Sequence, residues 1–413
     1  MKGFRWVVVF LVFVACLINF LDRSALAYVI MNLKTEYGFS NQDFGFIASA
    51  FGVSYLFMTI LGGHLIDKFG PKKILGLFAI IWSLASIGIG FASGFWQILV
   101  LRVVLGAAEG PAFPALTRVC SDWLAKHEKA RAMSYSLIAV PLSSVIGAPL
   151  ITQLIIHFGW RHMFFLLGSS GIIWSIFWFI LFNNNPMEST IVSQSEKDYL
   201  QNHQSIINTR KQQNFLALVK NKNLVIAYIC YAALGYLISF AIIWLPAYLQ
   251  QMHGFDISAV GTFLIYPWAL ASVMIVMGGI YADHRWQKHQ CLRASRAHIV
   301  IVSQLLSALC LIPMLFTSSK LILGISISFG IGFGLFPMAC FFAINSDLAF
   351  ESAAKSQGLM SSFFGITSFL APAITGYFST KMESFFIPIL IVILLNVFSA
   401  ILMSFFRSEA ADT

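Results

Sequence analysis

The chain has 413 residues, of which 58% are hydrophobic and only 10% charged, with a formal net charge of +9. Soluble domains carry about 25% charged residues. No water-soluble fold of this length buries so much apolar surface, so the composition excludes a soluble protein and predicts an integral membrane one. The six cysteines are scattered without CxxC or CxxxxH spacing, which predicts small buried hydrophobes and neither disulfides nor metal ligands.

The N-terminus has Lys2 and Arg5 ahead of an apolar run, as a signal peptide would. However, Asp22-Arg23 follows directly and no small-x-small cleavage site is in place, so the run reads as the first membrane helix. Twelve apolar stretches are long enough to cross, each needing about 20 residues for a core of about 30 Å. They run over 6–31, 44–66, 74–92, 95–118, 132–154, 161–182, 222–249, 258–282, 298–316, 321–345, 357–379 and 384–406, and are numbered spans 1 to 12 below. The one long polar stretch, Asn183 to Asn221, divides them six and six. This predicts an N-terminal bundle over 1–182, a linker over 183–221 with a short amphipathic helix on the membrane surface, and a C-terminal bundle over 222–413.

An even number of spans puts both termini on one side. If that side is the cytoplasm, the inner segments hold 20 of the 26 Lys and Arg residues and the outer ones hold Lys34, Arg161, Lys320 and Lys381. The excess of positive charge inside orients the chain with termini and linker cytoplasmic. It also accounts for the basic charge without nucleic acid.

Span 4 carries Arg102 and Glu109 in its apolar part. A charge at that depth costs about 2.5–3.5 kcal/mol and usually marks function. Seven residues make nearly two helical turns, so both side chains point to one side. A fixed positive charge beside a titratable acid suits anion binding and proton movement. The plain alternative is an ion pair that only joins two helices.

The loop after span 2 reads Gly63-His-Leu-Ile-Asp67-Lys68-Phe-Gly70-Pro-Lys72-Lys73. Gly63 would let span 2 pack closely on a neighbour. Asp67 would cap a helix end or pair across the bundle and brace one conformation. Here the chain resembles the major facilitator superfamily, whose G-x-x-x-D-[RK]-[FYL]-G-x-[RK]-[RK] loop it matches at every fixed place. A weaker copy, Gly279-Ile-Tyr-Ala-Asp283-His-Arg285, follows span 8, as a duplicated six-helix unit implies. Three further places resemble the anion:cation symporter family: Asn19-Phe-Leu-Asp22-Arg23, Arg102 with Glu109-Gly110-Pro111, and Trp244-Leu-Pro-Ala-Tyr-Leu249. His157-Phe-Gly-Trp-Arg161 is similar as well.

The resemblance implies an all-α membrane protein of twelve transmembrane helices in two six-helix bundles around a cavity that opens to either side in turn. It implies proton-coupled or potential-driven transport of organic anions, and the expected function is proton-coupled uptake of a small organic anion, a sugar acid or related carboxylate. It needs no cofactor beyond the proton gradient and works as a monomer in a bacterial-type inner membrane. It also places spans 1 and 4 face to face. Counted at 1.5 Å per residue, Arg23 then falls at a level between Arg102 and Glu109. In this reading Arg23 takes the substrate carboxylate with its two-pronged donor. Glu109 carries the proton, Asp22 is a second proton site, and Arg102 couples Glu109 to the substrate end.

Tyr55 lies where the family places a cavity tyrosine and is assigned to a substrate hydroxyl, with Tyr231 and Tyr236 of span 7 as further contacts. The Thr59-Ile-Leu61-Gly-Gly stretch lacks the glutamine and proline usual in the family, and span 7 carries no arginine. Ser136, Asn345, Ser361 and Ser362 serve equally for hydrogen bonding to a solute or for helix packing. No GxxxxGK[ST] loop and no HExxH pair occurs, so neither an ATP-driven pump nor an enzyme is expected. Two other classes stay open: a carrier of an amino acid, nucleoside or other small nutrient, and an efflux carrier for drugs or siderophores.

Overall fold

The computed structural model describes residues 3–203, 215–349 and 353–407. Among them, eleven helices are long and apolar enough to cross a membrane. Ten are single crossings: Phe4–Tyr28, Asn41–Phe69, Pro71–Phe91, Phe95–Trp123, Lys222–Ile243, Ile257–His289, Arg293–Leu315, Lys320–Ala349, Ser356–Lys381 and Phe386–Ser404. The remaining one, Ile138–Leu181, has 44 residues. A straight helix of that length would run about 66 Å, twice a bilayer core.

It is two crossings. Gly159 has φ 80 and ψ 160, outside helical space, a backbone position open to glycine and strained for other residues. The contacts on either side run in opposite directions. Before Gly159, Glu128 meets Arg5 and Gly147 meets Leu21, so span 5 is parallel to span 1. After it, Phe165 packs on Phe91, Ser175 donates to the carbonyl of Gly76, and the Trp178 indole donates to the carbonyl of Lys72. Span 6 therefore returns antiparallel to span 3, and the described helices make twelve crossings.

Span 7 ends at Ile243, and a separate helix, Leu245–His253, follows with proline in its first turn. The sequence reading ran span 7 on to 249. Pro246 has no N–H to continue the ladder, which ends the helix there.

Contacts divide the chain into two units, one of Met1–Tyr37 with Ala50–Thr209 and one of Gly38–Ser49 with Arg210–Thr413. The opening turns of span 2 thus pack with the second unit. There a side chain on Gly45 would overlap the carbonyl of Pro372 and Cα of Gly376, Ser49 donates to the carbonyl of Phe369 at 2.6 Å, and Phe44 packs on Trp244. The linker helix Gln194–His203 belongs to the first unit. The rest of the linker's centre, residues 204–214 with Arg210 and Lys211, lies outside the described residues.

One local arrangement occurs in both units. Span 4 breaks at Gly110-Pro111, between Phe95–Glu109 and Ala112–Trp123. Span 10 breaks at Phe336-Pro337, between Lys320–Leu335 and Met338–Ala349. Proline cannot bond to the preceding turn, but it is well placed to start the next helix. In each unit a glycine of a neighbouring span fits the break. A side chain on Gly62 would lie 2.8 Å from Cα of Pro111, and one on Gly278 would strike the carbonyl of Phe336. This corrects the packing assigned to Gly63. Gly63 has open space, and its neighbour Gly62 makes the close approach, because 62 and not 63 falls on the face toward span 4.

Candidate functional site

Four membrane helices of the first unit build the site. Span 4 reaches span 2 through Gly106 and Gly110, spaced four apart and so on one face. A side chain at Gly106 would overlap the carbonyl of Phe51, and one at Gly110 would lie 2.8 Å from Met58. Small residues at this spacing let membrane helices approach backbone to backbone. Arg102 lies one turn before Gly106, and Glu109 lies at the last residue before the break.

The sequence-predicted charges come together here. Arg23 and Glu109 pair through Nη2 and Oε2 at 3.4 Å, with the arginine side chain 16% exposed and the glutamate fully buried. The Arg23 guanidinium also lies 4.4 Å from the Tyr55 ring centre and 4.8 Å from those of Phe20 and Phe51. Arg102 is 1% exposed, and its guanidinium lies 4.7 Å from the Phe51 ring centre. Asp22, also buried, accepts a hydrogen bond from Ser86 of span 3 at 2.9 Å. Its neighbour Arg23 turns to Glu109 instead, as the 100° between adjacent helical residues requires. The fields of Asp22, Arg23, Arg102 and Glu109 act on one another.

This packing leaves bonding capacity over. Asp22 Oδ2, Glu109 Oε1, Arg102 Nε and Nη1, and Asn19 Nδ2 are buried without a hydrogen-bond partner among the described residues. More than nine in ten buried polar groups are normally bonded. Open donors and open carboxylate oxygens at one locus give it the means to take up an anion, a proton or water. Two partners were not singled out in the sequence. Phe51 is one turn from Tyr55 and shares its face, and Ser86 is a lone hydroxyl in an apolar span facing Asp22.

The other predicted residues make contacts within their own unit. Tyr231 packs against Phe341, Phe342 and Phe364 in the second unit, and Tyr236 is buried there. Asn345 is buried and bonds Ser356 and Gln357. Gln357 bonds Ser361 in turn, while Ser362 donates to the carbonyl of Gly358 on its own helix. The side chain of Ser136 is not among those described.

The predicted loop after span 2 is mostly helix: Asp67 and Lys68 lie in the last turn of Asn41–Phe69, Asp67 pairs with Arg118 of span 4 at 3.2 Å, and Arg118 also holds Asp122. Gly70, at φ 81, is the single residue between spans 2 and 3. Just beyond it, Asn184 accepts the Lys72 N–H at 2.8 Å and Asn183 accepts from Lys72 Nζ. Lys68 lies over the Phe69 ring and Lys73 is exposed. In the second unit Asp283 pairs with Arg296 of span 9 at 3.0 Å. The two copies of the motif therefore keep the carboxylate and take their arginine from different spans.

Comparison with known proteins agrees with this architecture. Residues 12–372 match the family model described as Major Facilitator Superfamily. The chain is 28% identical over 384 residues to a probable sulfoacetate transporter of Cupriavidus necator, covering 92% of this chain and 89% of the relative. It is 30% identical over 401 residues to a probable galactarate/D-glucarate transporter of Bacillus subtilis, covering 92% and 87%. A hexuronate transporter of Bacillus subtilis is 25% identical, covering 92% and 89%. Among solved structures, a bacterial homologue of the human lysosomal transporter Spinster superposes with a TM-score of 0.83 at 16% identity, covering 98% of this chain and 97% of the other. A D-xylose–proton symporter superposes at 0.78 and 13% identity, covering 98% and 99%. The chain belongs to the major facilitator superfamily of membrane transporters.

Proposed function

We propose that this transporter takes up a small organic anion, a sugar acid or related carboxylate, together with protons, by alternating access. It would do so as a monomer in a bacterial inner membrane, with both termini cytoplasmic. The observation that carries the reading is the Arg23–Glu109 pair, one partner partly accessible and the other fully buried. A substrate carboxylate competes with Glu109 for Arg23, and a glutamate that loses its counter-charge in a buried site binds a proton. Arrival of the anion thus favours arrival of the proton, which is the coupling a symporter needs. The relatives named for galactarate, glucarate, hexuronate and sulfoacetate support an anion as the solute. Electrical arithmetic supports cotransport: a lone anion entering a negative interior opposes about 2.3 kcal/mol per 100 mV, and two protons reverse that sign.

The test begins with thermal stabilisation of the purified protein against sugar acids, dicarboxylates, sulfonates, amino acids and nucleosides. A ligand at a hundred times its dissociation constant stabilises by about 2.7 kcal/mol. The ligand found is then followed into proteoliposomes under an imposed pH gradient. Glu109→Gln is expected to keep exchange of solute across the membrane and to lose accumulation. Proton-driven accumulation by Glu109→Gln would overturn the role given to Glu109. Stabilisation by neutral solutes alone would overturn the anion.

A further inference from the structure

Phe51 belongs to none of the charge motifs, yet its ring lies under two guanidinium groups from different helices: Arg23 at 4.8 Å and Arg102 at 4.7 Å. Tyr55 stacks on the same ring at 5.8 Å with planes 17° apart. The approach is built into the backbone, because Gly106 brings span 4 onto the carbonyl of Phe51.

Arg102 is buried and short of partners, with Nε and Nη1 unbonded among the described residues. The charges that act on it are Asp22 and Arg23 from span 1 and Glu109 from its own helix; Tyr55 lies against Arg23 and the Ser86 hydroxyl is bonded to Asp22. Asp22 and Glu109 each keep one oxygen open. Opposite charges in a buried site attract strongly, and Arg102 lies on the same helix face as Glu109, seven residues before it. Even so, among the described residues Arg102 makes no ion pair with either carboxylate. What it does contact is the face of an aromatic ring, an interaction that strengthens as water is removed.

We propose that Phe51 is a positioning residue that holds Arg102 away from Glu109 and Asp22. The glutamate is left with Arg23 as its direct partner, and that partner is the one a solute can take. Without the ring, Arg102 swings onto the open carboxylate oxygens and holds them as carboxylates whatever Arg23 does. The consequence for coupling rests on the proton-driven reading above. The placement of Arg102 does not.

The test therefore needs no substrate. Dicyclohexylcarbodiimide adds to protonated carboxyl groups in apolar surroundings, and mass spectrometry of the full-length protein in nanodiscs reads the adduct residue by residue. Labelling of Asp22, which makes no ion pair among the described residues, is compared at one pH in wild type, Phe51→Leu and Phe51→Tyr, with Glu109 read beside it. Phe51→Leu is expected to cut labelling about fivefold or more, Phe51→Tyr to keep it, and Phe51→Leu combined with Arg102→Gln to restore it. A merely structural role predicts the opposite, since a loosened core admits more reagent. Equal or greater labelling in Phe51→Leu overturns the proposal, as does a wild type in which neither carboxyl reacts. If Phe51→Leu does not run as a folded monomer on gel filtration, Phe51→Met carries the same prediction. Failure of anion uptake in the earlier assay would leave these labelling results standing.

Discussion

Replacing Glu196 by alanine should release the linker helix from the first unit. Glu196 sits in the helix Gln194–His203 and is 2% exposed at its side chain. One carboxylate oxygen accepts the Phe4 N–H at 3.0 Å, and the other accepts the Arg5 N–H at 3.1 Å and Arg5 Nη1 at 2.9 Å. It thereby satisfies free N–H groups at the start of span 1 and favours the positive end of that helix. Breaking a buried pair costs about 3–5 kcal/mol. Arg5 retains Glu128 at 3.1 Å and is 17% exposed, so the loss here is smaller, about 2–3 kcal/mol. Arg5 also lies over the Tyr199 ring of the same linker helix, a contact that the substitution loosens. An opening equilibrium shifted by that amount populates the detached helix about 30- to 150-fold more. Amide hydrogen exchange over 194–203 reads this directly, because exchange tracks local opening. Glu188→Gln, at an exposed position of the same linker, is the control. Exchange in Glu196→Ala within about twofold of wild type would refute the reasoning and make the carboxylate a bystander.

Gly62→Ala should lower the melting temperature while Gly63→Ala should not, since a methyl at 62 meets Pro111 at 2.8 Å and one at 63 meets nothing. Equal effects would remove the distinction drawn between the two glycines. Gly70→Ala should destabilise by about 1–3 kcal/mol, because φ 81 with ψ 153 is a backbone region essentially reserved for glycine; a melting temperature equal to wild type would count against it. The Arg161 guanidinium beside Glu36 holds that carboxyl below its ordinary range. Its stabilisation is therefore present above the unfolded carboxylate pKa of about 4.3 and disappears as pH falls through the lower folded value. The pair is exposed, so the difference in melting temperature between wild type and Glu36→Gln should be small at neutral pH, about 1 kcal/mol or less, and should vanish in acid. A difference that persists unchanged in acid would show that packing, not charge, is responsible.

Much of this protein could be read from its residues in order. Span number and loop charge follow from a bilayer that tolerates only apolar helices of about 20 residues, a condition applied to each segment independently. Arg23, Arg102 and Glu109 stand out because charge inside such a segment is costly. The breaks at Pro111 and Pro246 also have a local cause, the missing N–H, yet the apolar pattern runs spans 4 and 7 straight through them, because proline does not interrupt a hydrophobic run. Which glycine makes a contact is different. Gly62 and Gly63 are indistinguishable as letters, and only the rotation of span 2 against span 4 decides between them. The same holds for Phe51, one of 40 phenylalanines, which acquires a role only when Gly106 brings a second arginine over its ring. The pairing of Arg23 with Glu109 rather than with its neighbour Asp22, and the capture of the linker helix by Arg5 through Glu196, likewise depend on side chains 86 and 191 residues apart. Composition and periodicity act along the chain and set which segments enter the membrane. Contacts across helices depend on rotation and depth together, and those are set when all the helices of a unit pack at once.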